Sequence, residues 1–95
     1  MKLYKIVGIT DLLGQGKTDK ASQRRLGSTY KIFPIVQNCP MVLEYVTDNT
    51  NNSKEGYLHT STVQNIDYSS SDDQYIVTTS HSIYFLKGVN SNWHN

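Results

Sequence analysis

Short runs of β-branched and aromatic residues recur along this chain, and clusters of turn formers interrupt them about every 8–12 residues. That spacing leaves no room for long helices and calls for many short strands. Residues 2–10 (KLYKIVGIT), 28–36 (STYKIFPIV), 41–47 (MVLEYVT), 57–59, 62–68 (TVQNIDY), 74–79 (QYIVTT) and 82–87 (SIYFLK) read as strands. Between them, Gln37–Pro40 reads as a turn, 48–56 (DNTNNSKEG) as a polar hairpin loop and 69–73 as a second polar turn. Thr60-Ser61 is expected to break the fourth strand, and Ser80-His81 to form a bulge or tight bend. Apolar side chains alternate onto both faces of 2–10, with Leu3, Val7 and Ile9 on one and Tyr4 and Ile6 on the other. This predicts a strand covered on both sides, with Gly8 at a bend or close backbone approach. Pro34 donates no ladder hydrogen bond, so its strand is expected at an edge or bulged.

Five or six such strands, with a long first loop followed by a meander, predict an all-β fold, best matched by a small SH3-like barrel. Ninety-five residues support one core, so residues 1–88 are assigned to a single domain and 89–95 to a flexible tail in which only Trp93 stands out. A chain with one cysteine forms no internal disulfide, and the N-terminal apolar run is cut by Lys5 and Asp11, unlike a signal peptide. No run reaches the length of a membrane span. A cytoplasmic location is the expectation.

Charge is distributed unevenly. Five of the nine basic side chains, Lys17, Lys20, Arg24, Arg25 and Lys31, fall within residues 17–31, where Asp19 is the single acid. The segment carries about +4 on a chain whose net charge is +1. A short helix over 19–26 is predicted there, capped by Thr18 or Asp19 at its start and by Gly27 at its end. Lys20 and Arg24 then share a face four residues apart. Arg24 and Arg25 in the last turn are favoured by the helix dipole, which accounts for two of the charges and not for Lys17 or Lys31. Arginine grips phosphate or carboxylate with two parallel hydrogen bonds, and Tyr30 beside the cluster offers a stacking surface. Lys17, Lys20, Arg24, Arg25, Tyr30 and Lys31 are therefore the candidate ligand-binding residues.

Other chemistries find less support. Gly14-Gln15-Gly16-Lys17-Thr18 has the look of a phosphate-binding loop, yet Asp11 stands where that pattern needs its first glycine. The stretch reads instead as a flexible glycine loop. Cys39, His59, His81 and His94 lack the paired spacings of a zinc site, although His59 and His81 would approach each other if their strands paired. Neither Cys39 nor a serine has a base at a telling spacing, and Asp72-Asp73 sits in a serine-rich turn and is read as solvated. No catalytic residue, metal or cofactor is expected.

The segments 54–63 (KEGYLHTSTV) and 77–85 (VTTSHSIYF) carry Gly56, Leu58, Thr60, Ser61 and Val63, then Thr78, Thr79, Ser82 and Tyr84. In this pattern the chain resembles the ending of small uncharacterised proteins from low-GC bacteria and their phages. The resemblance spans about a third of the chain. It implies a small barrel and a mobile-element setting, and it transfers no catalytic residues.

Three functions fit these features. The first is a non-enzymatic phage or mobile-element protein that captures an anionic small ligand, such as a nucleotide immune signal, as a monomer or a homo-oligomer. The second is an interaction module that meets an acidic surface of a host enzyme and inhibits or regulates it. The third, nucleic-acid binding by a small barrel, is disfavoured because a net charge of +1 is low for that role.

Overall fold

The computed structural model describes residues 2–89. Its elements are β1 (Leu3–Thr10), α1 (Lys20–Arg25), β2 (Thr29–Ile32), β3 (Pro40–Thr47), β4 (Tyr57–Ser69), β5 (Gln74–Thr79) and β6 (Ile83–Val89). The six strands form a closed antiparallel barrel in chain order, with β6 returning to pair with β1. This is the small all-β barrel the turn spacing predicts. Closure pairs every strand on both sides, so no edge remains to recruit another chain. The barrel is filled by Ile6, Tyr30, Met41, Leu43, Val77 and Leu86, each 0% exposed.

A β-bulge in β1 explains the one misjudged strand face. The ladder with β6 shifts register between Ile6 and Gly8, so the alternation slips by one residue. Ile9 then joins Tyr4 and Ile6 in the interior, while Val7 is 46% exposed rather than covered. Gly8 is at a close approach, as expected: a β-carbon there would stand 3.1 Å from the Phe85 ring.

Three further boundaries differ from the sequence reading. The strand beginning near residue 28 ends at Ile32, not residue 36. Phe33 still donates its N–H to the Val42 carbonyl, and Pro34, with no N–H to give, lets the chain leave the sheet. Pro40 opens β3, opposite Thr62, instead of closing a turn. Thr60-Ser61 does not break β4, which runs unbroken for 13 residues. The pairing with β3 instead slips between Pro40 and Val42, and that with β5 between Val63 and Asn65. Thr60 repairs the interruption: its hydroxyl accepts from the Met41 N–H at 3.0 Å and donates to the Ser61 carbonyl at 2.7 Å. The expected tight bend at Ser80-His81 is present, held by the buried Thr79 hydroxyl, which accepts from the Ser82 N–H at 3.1 Å. β6 extends through Val89, and the remainder of the anticipated tail, Trp93 included, lies outside the described residues.

Candidate functional site

The predicted helix forms over Lys20–Arg25, one residue short of the expected span at each end. Asp19 is its N-cap, accepting from the Ser22 N–H at 3.1 Å and the Ser22 hydroxyl at 2.8 Å. Those bonds, the side-chain one foremost, lower the Asp19 pKa below its ordinary value. Gly27 takes the left-handed conformation a helix end needs, with φ of 82°, and donates its N–H to the Ile6 carbonyl at 2.8 Å. Six residues are too few for a stable isolated helix. What holds α1 is attachment to the barrel, and Arg25 supplies much of it. The Arg25 carbonyl accepts from the Tyr30 hydroxyl at 3.3 Å, while its guanidinium donates to the Tyr84 hydroxyl at 3.1 Å.

The six candidate residues do not form one site. Lys20 and Arg24 are exposed on α1. Lys17 and Arg25 are half-buried and reach inward to β6, where Lys17 Nζ donates to the Ser82 hydroxyl at 2.9 Å. Ser82 is the residue immediately before β6 and Tyr84 lies within it, two positions on, so both cations rest on neutral hydroxyls of one chain segment. Lys31 is a β2 residue opposite Glu44 of β3 and takes no part in the helix face. Tyr30 must be removed from the binding set. Its ring is 0% exposed, 4.6 Å from the Tyr45 ring in the core, and offers no face to a ligand. Burial, foremost, pushes its hydroxyl pKa well above the ordinary tyrosine value.

None of the five cations forms an ion pair among the described residues, where Lys2–Asp73 is the single one. Three of the acids serve as acceptors for cap or turn amides. Asp19 caps α1. Asp48 accepts from Thr50 Oγ1 at 2.6 Å and from the Thr50 and Asn52 N–H groups at 2.8 and 3.0 Å. Asp11 accepts from the Leu13 and Gln15 N–H groups, both at 2.9 Å. This last arrangement also disposes of the phosphate-loop likeness. The Gln15 amide already holds the chain's own carboxylate, and the Gly14 and Lys17 amides bond the Asp11 and Ile9 carbonyls, so the glycine loop is a hydrogen-bonded turn.

The turn between β4 and β5 contains what the sequence reading missed. Asp73 is not simply solvated like its neighbour Asp72. It adopts a left-handed conformation (φ 49°), which aspartate tolerates, and its carboxylate collects three donors. Lys2 Nζ lies 2.6 Å from Oδ2, and the Tyr4 and Tyr68 hydroxyls each donate to Oδ1 at 3.1 Å. The Lys2 bond foremost, helped by the two hydroxyls, holds the Asp73 pKa below the usual carboxylate value, against an opposing effect of burial that outweighs either hydroxyl alone. Burial, then the bond to Asp73, raises the Tyr4 pKa to about 12. Tyr75 completes the group, its ring centroid 5.5 Å from Tyr4 and 4.6 Å from Tyr68. The signal in the sequence was Tyr68 and Tyr75, which face each other across the hairpin that Asp73 turns.

Beside this hub opens a cleft of about 560 Å³ lined by Lys2, Tyr4, Ile32, Phe33, Pro34, Ile35, Ile66 and Tyr75. Its size falls in the range of small-molecule sites, and its walls are mainly apolar. A shallower depression of about 210 Å³ lies on the outer face, where Lys5 and Lys87 stand opposite each other on β1 and β6. None of Lys17, Lys20, Arg24 and Arg25 lines either one.

Among the described residues, metal-ligating side chains do not converge. His59 lies on β4 opposite Val42, and His81 is exposed in the turn before β6, so the two do not meet across a ladder. No group of three such side chains occurs among the described residues. His94 lies outside them. No helix of the described chain is long and apolar enough to cross a membrane. Comparison with protein-family models, with curated proteins and with solved structures gave no match to this chain.

Proposed function

We propose that this protein is a non-catalytic binding module that docks an acidic protein surface on the face made by Lys17, Lys20, Arg24 and Arg25. The observation that carries this reading is the absence of any carboxylate partner for these four cations among the described residues. Cations without an ion-pair partner attract an acidic partner and speed its encounter, and of the neighbouring acids only Asp19 acts on one of them, Lys17. Two of the four are exposed on a helix and none lines either of the two depressions described above, which favours a broad partner surface over an enclosed ligand. The mobile-element resemblance fits a protein that acts on a host factor in the cytoplasm.

A second reading, capture of a small phosphate-bearing ligand such as a nucleotide, draws on one specific feature. Lys17 and Arg25 converge on Ser82 and Tyr84, which places two cations and two hydroxyls along one stretch of chain. One experiment addresses both readings. The protein is used to retrieve partners from host lysate, alongside the charge-reversed variant Lys20→Glu/Arg24→Glu, and the eluates are analysed by native mass spectrometry. A stoichiometric acidic protein that is lost in the variant and at high salt supports the proposal. Retention of the same partner by the variant refutes it. A co-purified small anion with no protein partner establishes the second reading instead.

A further inference from the structure

We infer that the cleft beside Asp73 is a binding site for a small amphiphilic amine, with its ammonium group on the Asp73 carboxylate and its apolar body along Phe33, Pro34, Ile35 and Ile66. This site is separate from the basic face of α1 and opposite to it in charge preference.

The argument begins with Lys2. Its side chain is 55% exposed, yet its ammonium group sits 2.6 Å from a carboxylate that two tyrosine hydroxyls also orient. Tyr4 and Tyr68 each give their one hydroxyl proton to Asp73, which fixes the carboxylate in place without neutralising it. The charge is balanced by Lys2 alone. A half-exposed lysine holds an ion pair weakly, because water solvates its ammonium group nearly as well. Lys2 is therefore a replaceable occupant, and an incoming ammonium group exchanges for it like for like.

Charge excludes the alternatives. An anion entering the cleft has one cation to meet, Lys2, whose charge Asp73 already balances, and it meets the repulsion of that carboxylate. A neutral apolar molecule gains the cleft walls and nothing from Asp73. Only a cation gains both. Lys2 and Tyr4 link the two parts of the site, since both line the cleft and both bond Asp73. The volume of about 560 Å³ accommodates a small molecule, and apolar side chains predominate in its lining.

The probes are n-hexylammonium, n-hexanol and n-hexanoate, followed by NMR titration of the backbone amides of residues 2–4, 33–35 and 73–75 in the full chain. Saturable shifts with n-hexylammonium are expected, at an affinity about tenfold above that of either other probe. Lys2→Ala removes the internal competitor and is expected to tighten n-hexylammonium binding by about threefold or more. Asp73→Asn keeps the side chain's shape, loses its charge, and is expected to weaken n-hexylammonium binding by about tenfold while leaving n-hexanol unchanged. Should Asp73→Asn fail to keep a dispersed amide spectrum, Lys2→Ala alone decides. Unchanged or weaker binding by Lys2→Ala overturns the inference, as does n-hexanoate binding as tightly as n-hexylammonium. A lysine-containing pentapeptide that binds about tenfold more tightly than n-hexylammonium also overturns it, in favour of a polypeptide side chain as the occupant.

Discussion

The α1 region and the Asp73 region each bring hydroxyls and charged groups together, with the charges assigned in opposite ways. Around α1 the cations are many and their acceptors are neutral: Lys17 on Ser82, Arg25 on Tyr84. Around Asp73 the anion is single and its donors are several: Lys2, Tyr4 and Tyr68. Removing Lys17 or Arg25 leaves behind a hydroxyl that is itself buried, since Ser82 and Tyr84 are 5% and 4% exposed, whereas Lys20 and Arg24 are exposed on the helix and lose no such partner. Removing the Asp73 carboxylate takes the acceptor from the buried Tyr4 hydroxyl, while Lys2 and Tyr68, each more than half exposed, turn to water. Charge is thus surplus to the fold at Lys20 and Arg24 and part of its framework at Arg25 and Asp73. Surplus charge is the better guide to a partner, and framework charge the better guide to a shaped site.

The largest expected effect tests where the α1 region ends and the core begins. Tyr30 lies within the basic stretch of the sequence but is 0% exposed in the barrel. Tyr30→Ala should destabilise the protein by about 4 kcal/mol, through lost burial and the cavity left behind. A denaturant titration reads this directly. A loss below about 1 kcal/mol would mean that the ring is not in the core and would restore it as a candidate stacking surface.

Next comes the carboxylate itself. Asp73→Ala should lower stability by about 2 kcal/mol, which corresponds to roughly 8–16 °C in Tm for a domain of this size. Its pH dependence follows from the depressed pKa. The unfolded-state carboxyl titrates near about 3.9 and the folded one lower, so the stabilisation is complete above that value and is lost as the pH falls through the folded pKa. The stability difference between wild type and Asp73→Ala should therefore be flat at neutral pH and shrink below about pH 4. Tyr4 gives the alkaline counterpart. Its folded pKa is raised to about 12, so its contribution holds below about pH 10 and disappears as the pH climbs toward the folded value. In Tyr4→Phe that alkaline loss should be smaller. Gly88→Ala reaches the same hub from another side, since a methyl group there would overlap the Asp73 carboxylate.

How much of this was legible in the sequence depends on whether the cause is local. The barrel was, because strand propensity and turn chemistry act over a few residues, and so was α1, whose cap residues Asp19 and Gly27 lie beside it. The phase of β1 was not: the slip falls where Gly8 pairs with Phe85, 77 positions away, whose ring stands close to the glycine. The continuity of β4 was hidden for a similar reason, since the Thr60 hydroxyl that bridges the irregularity acts on Met41 of another strand. The basic cluster was visible as a charge count. Whether its members share a face, and whether acids neutralise them, depended on where Asp11, Asp19 and Asp48 turned. Asp73 was the least visible, because its role arises only when β1 brings Lys2 and Tyr4 to a hairpin some 70 residues later.

A smaller effect separates two arginines that the sequence makes look equivalent. Arg24 and Arg25 are adjacent in the last turn of α1, and either would be a natural choice for testing a charged surface. Arg25 joins the helix to Tyr84, so Arg25→Ala should cost about 1 kcal/mol of stability. Its loss of binding would then be ambiguous, because a displaced α1 also disturbs the surface. Arg24 is exposed, and its bond to the Ser28 hydroxyl is made by its carbonyl, which accepts at 3.1 Å and survives substitution. Arg24→Ala should leave stability within about 0.5 kcal/mol of wild type. Any loss of partner binding in that variant therefore reports the surface alone. Equal stability losses in the two variants would show that Arg25 does not anchor the helix, and the division between surplus and framework charge would have to be redrawn within α1.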